Sequence, residues 1–181
     1  MNKIYIVLVF VFASCAQDYT PKPRGFSRID FPEKTYIDYS SNCPFKFQKP
    51  IYSSVENREE YCWLNLQFES LNGTLHLSYK ALDNDLFKYV EESRTLAYKH
   101  AMKADAISEQ VFDTPDKSVY GLLYSFEGQS ATPLQFYLTD STSHFVRGAL
   151  YFNTEMNDSI KPINLFVSKD VYHLIEQFQW Q

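Results

Sequence analysis

The sequence predicts an α+β domain: an antiparallel β-sheet meander with one long central helix and a C-terminal helix packed on it. Three observations carry this. Segments such as Tyr61–Phe68 and Ser143–Phe152 alternate inward and outward residues with a period of two. The stretch from about Asp83 to Lys103 instead places Leu82, Leu86, Val90, Ala97 and Ala101 at helical spacing, with Ser93 as a polar gap. The later strands are joined by short, turn-rich segments, which suit antiparallel neighbours.

Before the domain comes a targeting segment. Lys3 precedes a short apolar run, Ile4 to Phe12, and the small pair Ala13-Ser14 leads into Cys15. A basic start, a short apolar run and a small-residue cleavage site make a secretory signal over 1–14. The run is about half the roughly twenty residues that a membrane-spanning helix needs. Phe12-Ala13-Ser14-Cys15 resembles the bacterial lipobox, with Phe in place of the more usual Leu. That motif implies thioether lipidation of the Cys15 thiol and acylation, as by palmitate, of its freed amine. Several acyl chains give stable anchoring, at about 0.8 kcal/mol per buried CH₂. The alternative is an ordinary secretory signal with a chance Cys. Residues 15–25 hold Pro21, Pro23 and Gly25 and read as an extended tether, leaving 26–181 as one domain.

Ordered structure is expected from Phe26–Phe31, then a short strand at Pro44–Phe47. Residues 53–60 are polar and read as a loop. Tyr61–Phe68, with Cys62, Leu64, Leu66 and Phe68 inward, forms a hairpin with Thr74–Lys80 across the Asn72-Gly73 turn. Asp83, Asn84 and Asp85 offer N-cap oxygens to the long helix, and Lys99, His100 and Lys103 suit its C-terminal end. Strands are then expected at Ala106–Phe112, Ser118–Phe126, Leu134–Leu138, Ser143–Phe152 and Ile163–Val167. A last helix opens on Ser168, with Val171, Leu174, Ile175 and Phe178 as its apolar stripe.

Fourteen Tyr, fifteen Phe and two Trp supply enough apolar area for a sizeable core. Loss of Lys3 with the signal takes the net charge from −5 to −6. No basic patch stands out, which argues against nucleic acid. Lys22, Arg24 and Arg28 either touch anionic head groups or only solubilise the tether. With Cys15 lipidated, Cys43 and Cys62 remain as an even pair in an oxidising compartment and read as a disulfide, two free buried thiols being the alternative. His76, His100, His144 and His173 are scattered, so no metal site is expected. Asp83-Asn84-Asp85 lacks the Gly and Glu of a calcium loop. No glycine-rich phosphate loop occurs, and nothing points to a cofactor or a small-molecule substrate.

The densest polar cluster is Thr139-Asp-Ser-Thr-Ser-His-Phe-Val-Arg147. A hydrolase would use Ser141 or Ser143 as nucleophile, His144 as base and Asp140 as orienting acid. Such triads join separated segments around a strained elbow, and neighbours on a hairpin point to opposite faces. Catalytic residues are therefore not expected. The cluster reads instead as a hairpin tip, either purely structural or a partner contact through Asp140, Ser141, His144 and Arg147. Tyr137, Phe145, Tyr151 and Arg147 fall on the strand face opposite Val146, Gly148, Leu150 and Phe152. That face is an interaction surface if exposed and a second core layer if a helix covers it.

Taken together, these segments resemble the gliding motility lipoprotein GldD family of Bacteroidota. The likeness rests on Cys15 with Asp18-Tyr-Thr-Pro-Lys-Pro-Arg-Gly25, Arg28-Ile-Asp-Phe-Pro-Glu-Lys34, Cys43-Pro44 and Cys62-Trp-Leu-Asn65. Leu77-Ser-Tyr-Lys80, Lys99-His100 and Lys103-Ala-Asp-Ala106 add to it. The densest match is Gln135-Phe-Tyr-Leu-Thr-Asp-Ser-Thr142 with His144-Phe-Val-Arg-Gly-Ala-Leu-Tyr-Phe152, followed by Asn157-Asp-Ser-Ile160. Met156 stands where the family pattern has a proline. The resemblance implies a non-enzymatic lipoprotein of the gliding machinery coupled to type IX secretion, held to a membrane by its lipid and meeting other envelope proteins. Ala16 after Cys15 favours the outer membrane, periplasmic face. The element order is also similar to PsbP/Mog1-like domains, an analogy of fold alone.

Overall fold

In the computed structural model, residues 28–58, 61–102, 104–154 and 159–181 are described. The signal 1–14, Cys15, the tether, Lys103 and the Asn157-Asp158 turn lie outside them. The strands are β1 (Tyr36–Ser40), β2 (Phe45–Pro50), β3 (Ser54–Arg58), β4 (Trp63–Phe68), β5 (Gly73–Ala81), β6 (Ala104–Thr114), β7 (Val119–Gly128), β8 (Leu134–Thr139), β9 (His144–Phe152) and β10 (Gln179–Trp180). The helices are α1 (Leu86–Ala101) and α2 (Lys161–Glu176). All pairings are antiparallel, in one sheet ordered β1-β2-β10 and another ordered β3-β4-β5-β9-β8-β7-β6.

The expected α+β meander is present. After the β4–β5 hairpin, α1 carries the chain to the far edge of the larger sheet. β6, β7, β8 and β9 then return in order, and β9 closes on β5 with Leu77 opposite Gly148. Asn72, in the left-handed region at φ 51°, reverses the chain after a short 3₁₀ turn at Glu69–Leu71.

Alternation along the larger sheet gives it two packed faces. Leu64, Leu66, Phe68, Leu75, Leu77, Leu123, Phe136, Leu138, Val146 and Leu150 are buried on one face. They meet Val167, Val171, Leu174 and Phe178 of the α2 region, and Phe45 and Phe47 of β2. On the other face α1 covers β6 to β9, with Ser93 and Ala97 buried. The Tyr89 ring lies 5.6 Å from that of Phe145, itself only 2% exposed. The face bearing Tyr137, Phe145 and Arg147 is thus a second core layer beneath α1.

Four sequence expectations change. The Ile163–Val167 strand and the Ser168 cap are replaced by one helix from Lys161, because Pro162 presets the first turn and the apolar stripe already runs through Val167. Ser168 sits within that helix, its hydroxyl donating to the Asn164 side chain at 3.0 Å. The polar 53–60 segment contains β3, an edge strand made by pairing Val55 with Leu66. Two strands, β1 and β10, go beyond the expected set. Asp83, Asn84 and Asp85 give α1 no side-chain cap; the Asp85 carboxylate accepts from the Asp83 amide at 2.9 Å instead.

Gly148 makes a sharp test of the packing between β8 and β9. A Cβ there would enter the ring of Phe136, which is directly opposite and 1% exposed. Gly148→Ala is expected to cost about 1–3 kcal/mol through overpacking. Urea denaturation measures it, and an unchanged midpoint would remove this account of the site.

Candidate functional site

The hairpin tip between β8 and β9 is a loop organised by one carboxylate. Asp140 Oδ1 accepts from the backbone amides of Thr142 at 3.0 Å, Ser143 at 2.9 Å and His144 at 2.8 Å. The Thr142 hydroxyl donates to Asp140 Oδ2 at 3.1 Å. Thr139 Oγ1 donates to the His144 carbonyl at 2.7 Å and accepts from the Ser141 amide at 2.9 Å. Ser141 takes a left-handed φ of 69°, closing the turn. Ser141, Thr142 and Ser143 are exposed, while Asp140 and His144 are half-buried.

The remaining groups of the cluster go elsewhere. His144 Nδ1 lies 2.9 Å from the Tyr79 hydroxyl, and its ring stacks on Trp180 with centroids 5.2 Å apart. Arg147 is half-buried below α1 and donates to Gln135 Oε1 at 2.7 Å. The Asp140 carboxylate thus reaches the His144 backbone amide and not its ring, and the three side chains bond separate groups. The structure brings Ser141 and His144 to one tip and takes Arg147 under the helix.

Burial works against the Asp140 charge, but the amides of His144, Ser143 and Thr142 outweigh it and hold the carboxyl below its ordinary value of 3.8. A depressed carboxyl stabilises the fold above its unfolded pKa and loses that contribution as pH falls through the folded one. Asp140→Asn is expected to cost about 1 kcal/mol at neutral pH. The gap from wild type should narrow below about pH 4. Thermal melts across pH test this, and a gap that is constant with pH would oppose it.

A second polar centre escaped the sequence reading. The Asp170 side chain, on the inner face of α2, is completely buried. It accepts from Lys34 Nζ, from the Tyr36 hydroxyl at 2.8 Å and from the Tyr52 hydroxyl at 2.6 Å. Lys34 also donates to the Phe166 carbonyl at 3.0 Å and lies 3.7 Å from the centroid of the Phe166 ring. Burial, then the hydrogen bond to Asp170 and its charge, push both phenols well above the ordinary tyrosine value. They remain neutral donors, and the centre fastens the start of the domain, β1 and the β2–β3 connection to α2.

Cys43 and Cys62 are joined by a disulfide with Cα atoms 5.5 Å apart. Among the described residues no three His, Cys, Asp or Glu gather as a metal-ligand set. No helix among them is long and apolar enough to cross a membrane. Comparison with curated proteins returns no match. The family model described as gliding motility lipoprotein GldD matches residues 16–180. That match spans both sheets, both helices and the disulfide, and the chain belongs to the gliding motility lipoprotein GldD family.

Proposed function

We propose that this protein is a lipid-anchored, non-enzymatic assembly component of the gliding machinery coupled to type IX secretion, and that its β8–β9 hairpin tip contacts other envelope proteins. The family supplies the gliding role. In this reading the signal 1–14 is removed, Cys15 carries the lipid, and 15–25 tethers the domain to the periplasmic face of the outer membrane. Phe31 stacks on Phe166 of α2 at 4.4 Å, so the chain enters the described domain on the side of the larger sheet opposite α1.

The observation that carries the contact is the division of labour in the tip. Asp140 and Thr139 hold the loop in one shape, and the three hydroxyl residues Ser141, Thr142 and Ser143 face outward. His144 braces the loop from behind, and Arg147 supports the strand beneath it. A preordered loop loses little conformational entropy on binding. The competing hydrolase reading needs the Asp140 carboxylate on the His144 ring; that carboxylate bonds backbone amides and the ring bonds Tyr79.

The exposed residues are the right probes, because removing Asp140 or Arg147 would also disturb folding. The triple replacement Ser141→Ala, Thr142→Ala, Ser143→Ala is expected to cost no more than about 1.5 kcal/mol in all, most of it from the Thr142 hydroxyl that bonds Asp140 Oδ2. Crosslinking pull-downs from intact envelopes should then lose partners that the wild type recovers. Full recovery by the triple variant would remove the tip contact.

A further inference from the structure

We propose that the outer edge of β6 receives an extended, basic segment of another protein by strand addition. β6 is the last strand of the larger sheet and pairs only with β7 among the described residues. It spans Ala104–Thr114, with an irregularity at Ala104/Ala106 and regular register from there on. Its other edge offers a row of backbone donors and acceptors, the template that strand addition uses.

The side chains define what fits. Ile107, Glu109, Val111 and Asp113 alternate along the face shared with α1. Tyr98 of α1 fixes that face by donating to Glu109 Oε1 at 2.9 Å. Val111 is 73% exposed on that face. Glu109 and Asp113 flank it and are exposed, Asp105 adds a further carboxylate, and the strand has no Lys or Arg. Pairing with a second copy centred on Val111 would set Glu109 opposite Asp113, which disfavours self-association in the register that pairs the apolar residues. A complementary strand has a basic residue opposite Glu109, an apolar one opposite Val111 and a basic one opposite Asp113. That alternation reads the same in either chain direction.

This surface is distinct from the hairpin tip and does not depend on it. The test uses the full chain and a synthetic peptide with Lys at its centre and both ends, Val midway between and Thr elsewhere. Fluorescence anisotropy should show saturable binding that weakens with salt. The same peptide N-methylated on alternate amides keeps its charges and side chains but loses ladder donors, and should bind at least about tenfold more weakly. The double variant Glu109→Lys, Asp113→Lys should weaken binding about tenfold and prefer the Glu-substituted peptide. Hydrogen exchange should slow at β6 amides on peptide addition. No binding of the Lys peptide overturns the proposal. Equal binding of the N-methylated peptide, meaning simple charge adhesion, also overturns it, whether or not the variant folds. Dimerisation of the free chain through β6, abolished by the double variant, would make the occupant a second copy and overturn it as well. Failure here leaves recovery of envelope partners by the tip variants as a separate result.

Discussion

Asp170→Ala is expected to lower stability by about 3–5 kcal/mol, the scale of breaking a buried ion pair by removing one partner. Three donors converge on this carboxylate: Lys34, Tyr36 and Tyr52. Its removal strands two phenol groups, leaves an ammonium without its counter-charge and opens a hole on the inner face of α2. For a domain of this size the melting temperature should fall by roughly 6–20 °C. Asp170→Asn should cost less, because it keeps an acceptor and the Lys34 side chain is 27% exposed and can turn to water. Alkaline titration supplies a second reading. Both tyrosines have raised folded pKa values, so the stability they contribute is present below the ordinary tyrosine pKa of 10.0 and is lost as pH rises above it. Tyr36 and Tyr52 should stay un-ionised until the wild type unfolds, and the Ala variant should unfold at lower pH. Equal melting temperatures for wild type and Ala variant would sink the clamp.

Strands with one packed face were legible in the sequence. In β4 and β5 the inward set Leu64, Leu66, Phe68, Leu75 and Leu77 alternates with polar residues, because one side meets the core and the other does not. β1 and β3 carry no such pattern. They are edge strands whose state comes from pairing, Ile37 with Lys49 and Val55 with Leu66, and pairing has no local signature. The start of α2 differs from its local preference for a related reason. Ile163 and Val167 suit a strand by local preference, whereas Pro162 two residues into the helix and the spacing Ile163, Val167, Val171 and Leu174 define one helical face.

The same strand-like preference masks the buried cluster. Once the helix begins at Lys161, Asp170 falls within the apolar stripe between Val167 and Leu174. A carboxylate in such a place needs partners. Its donors are 118 to 136 residues away in sequence, so no spacing rule could name them. The Asp140–Arg147 cluster shows the opposite. It is dense in sequence, yet the alternation of β9 sends Arg147 under α1 while His144 turns to Tyr79 and Trp180.

Replacing both Cys43 and Cys62 with Ala is expected to cost about 3 kcal/mol by chain-entropy arithmetic for this loop size. The bridge closes a sequence separation of 19 residues. It joins the residues just before β2, in the smaller sheet, to those just before β4, in the larger one, so it links two sheets that share no strand among the described residues. Cys43 is 3% exposed, and Cys62 has a left-handed φ of 51°, a region that favours glycine over cysteine. Without the bridge that conformation is no longer enforced, so Cys62→Gly should be less costly than Cys62→Ala in a chain that lacks Cys43. Melting temperatures with and without reductant measure the main effect, and no change on full reduction would oppose it. The disulfide links the two sheets, whereas Asp170 fastens the smaller sheet to α2, with no partner in common. Their losses should therefore add to within about 0.5 kcal/mol. The combined loss of roughly 6–8 kcal/mol falls within the 5–15 kcal/mol typical of whole domains. A chain lacking the disulfide and Asp170 should consequently melt well below either single variant, and a melting temperature equal to that of the Asp170→Ala chain would oppose independent action.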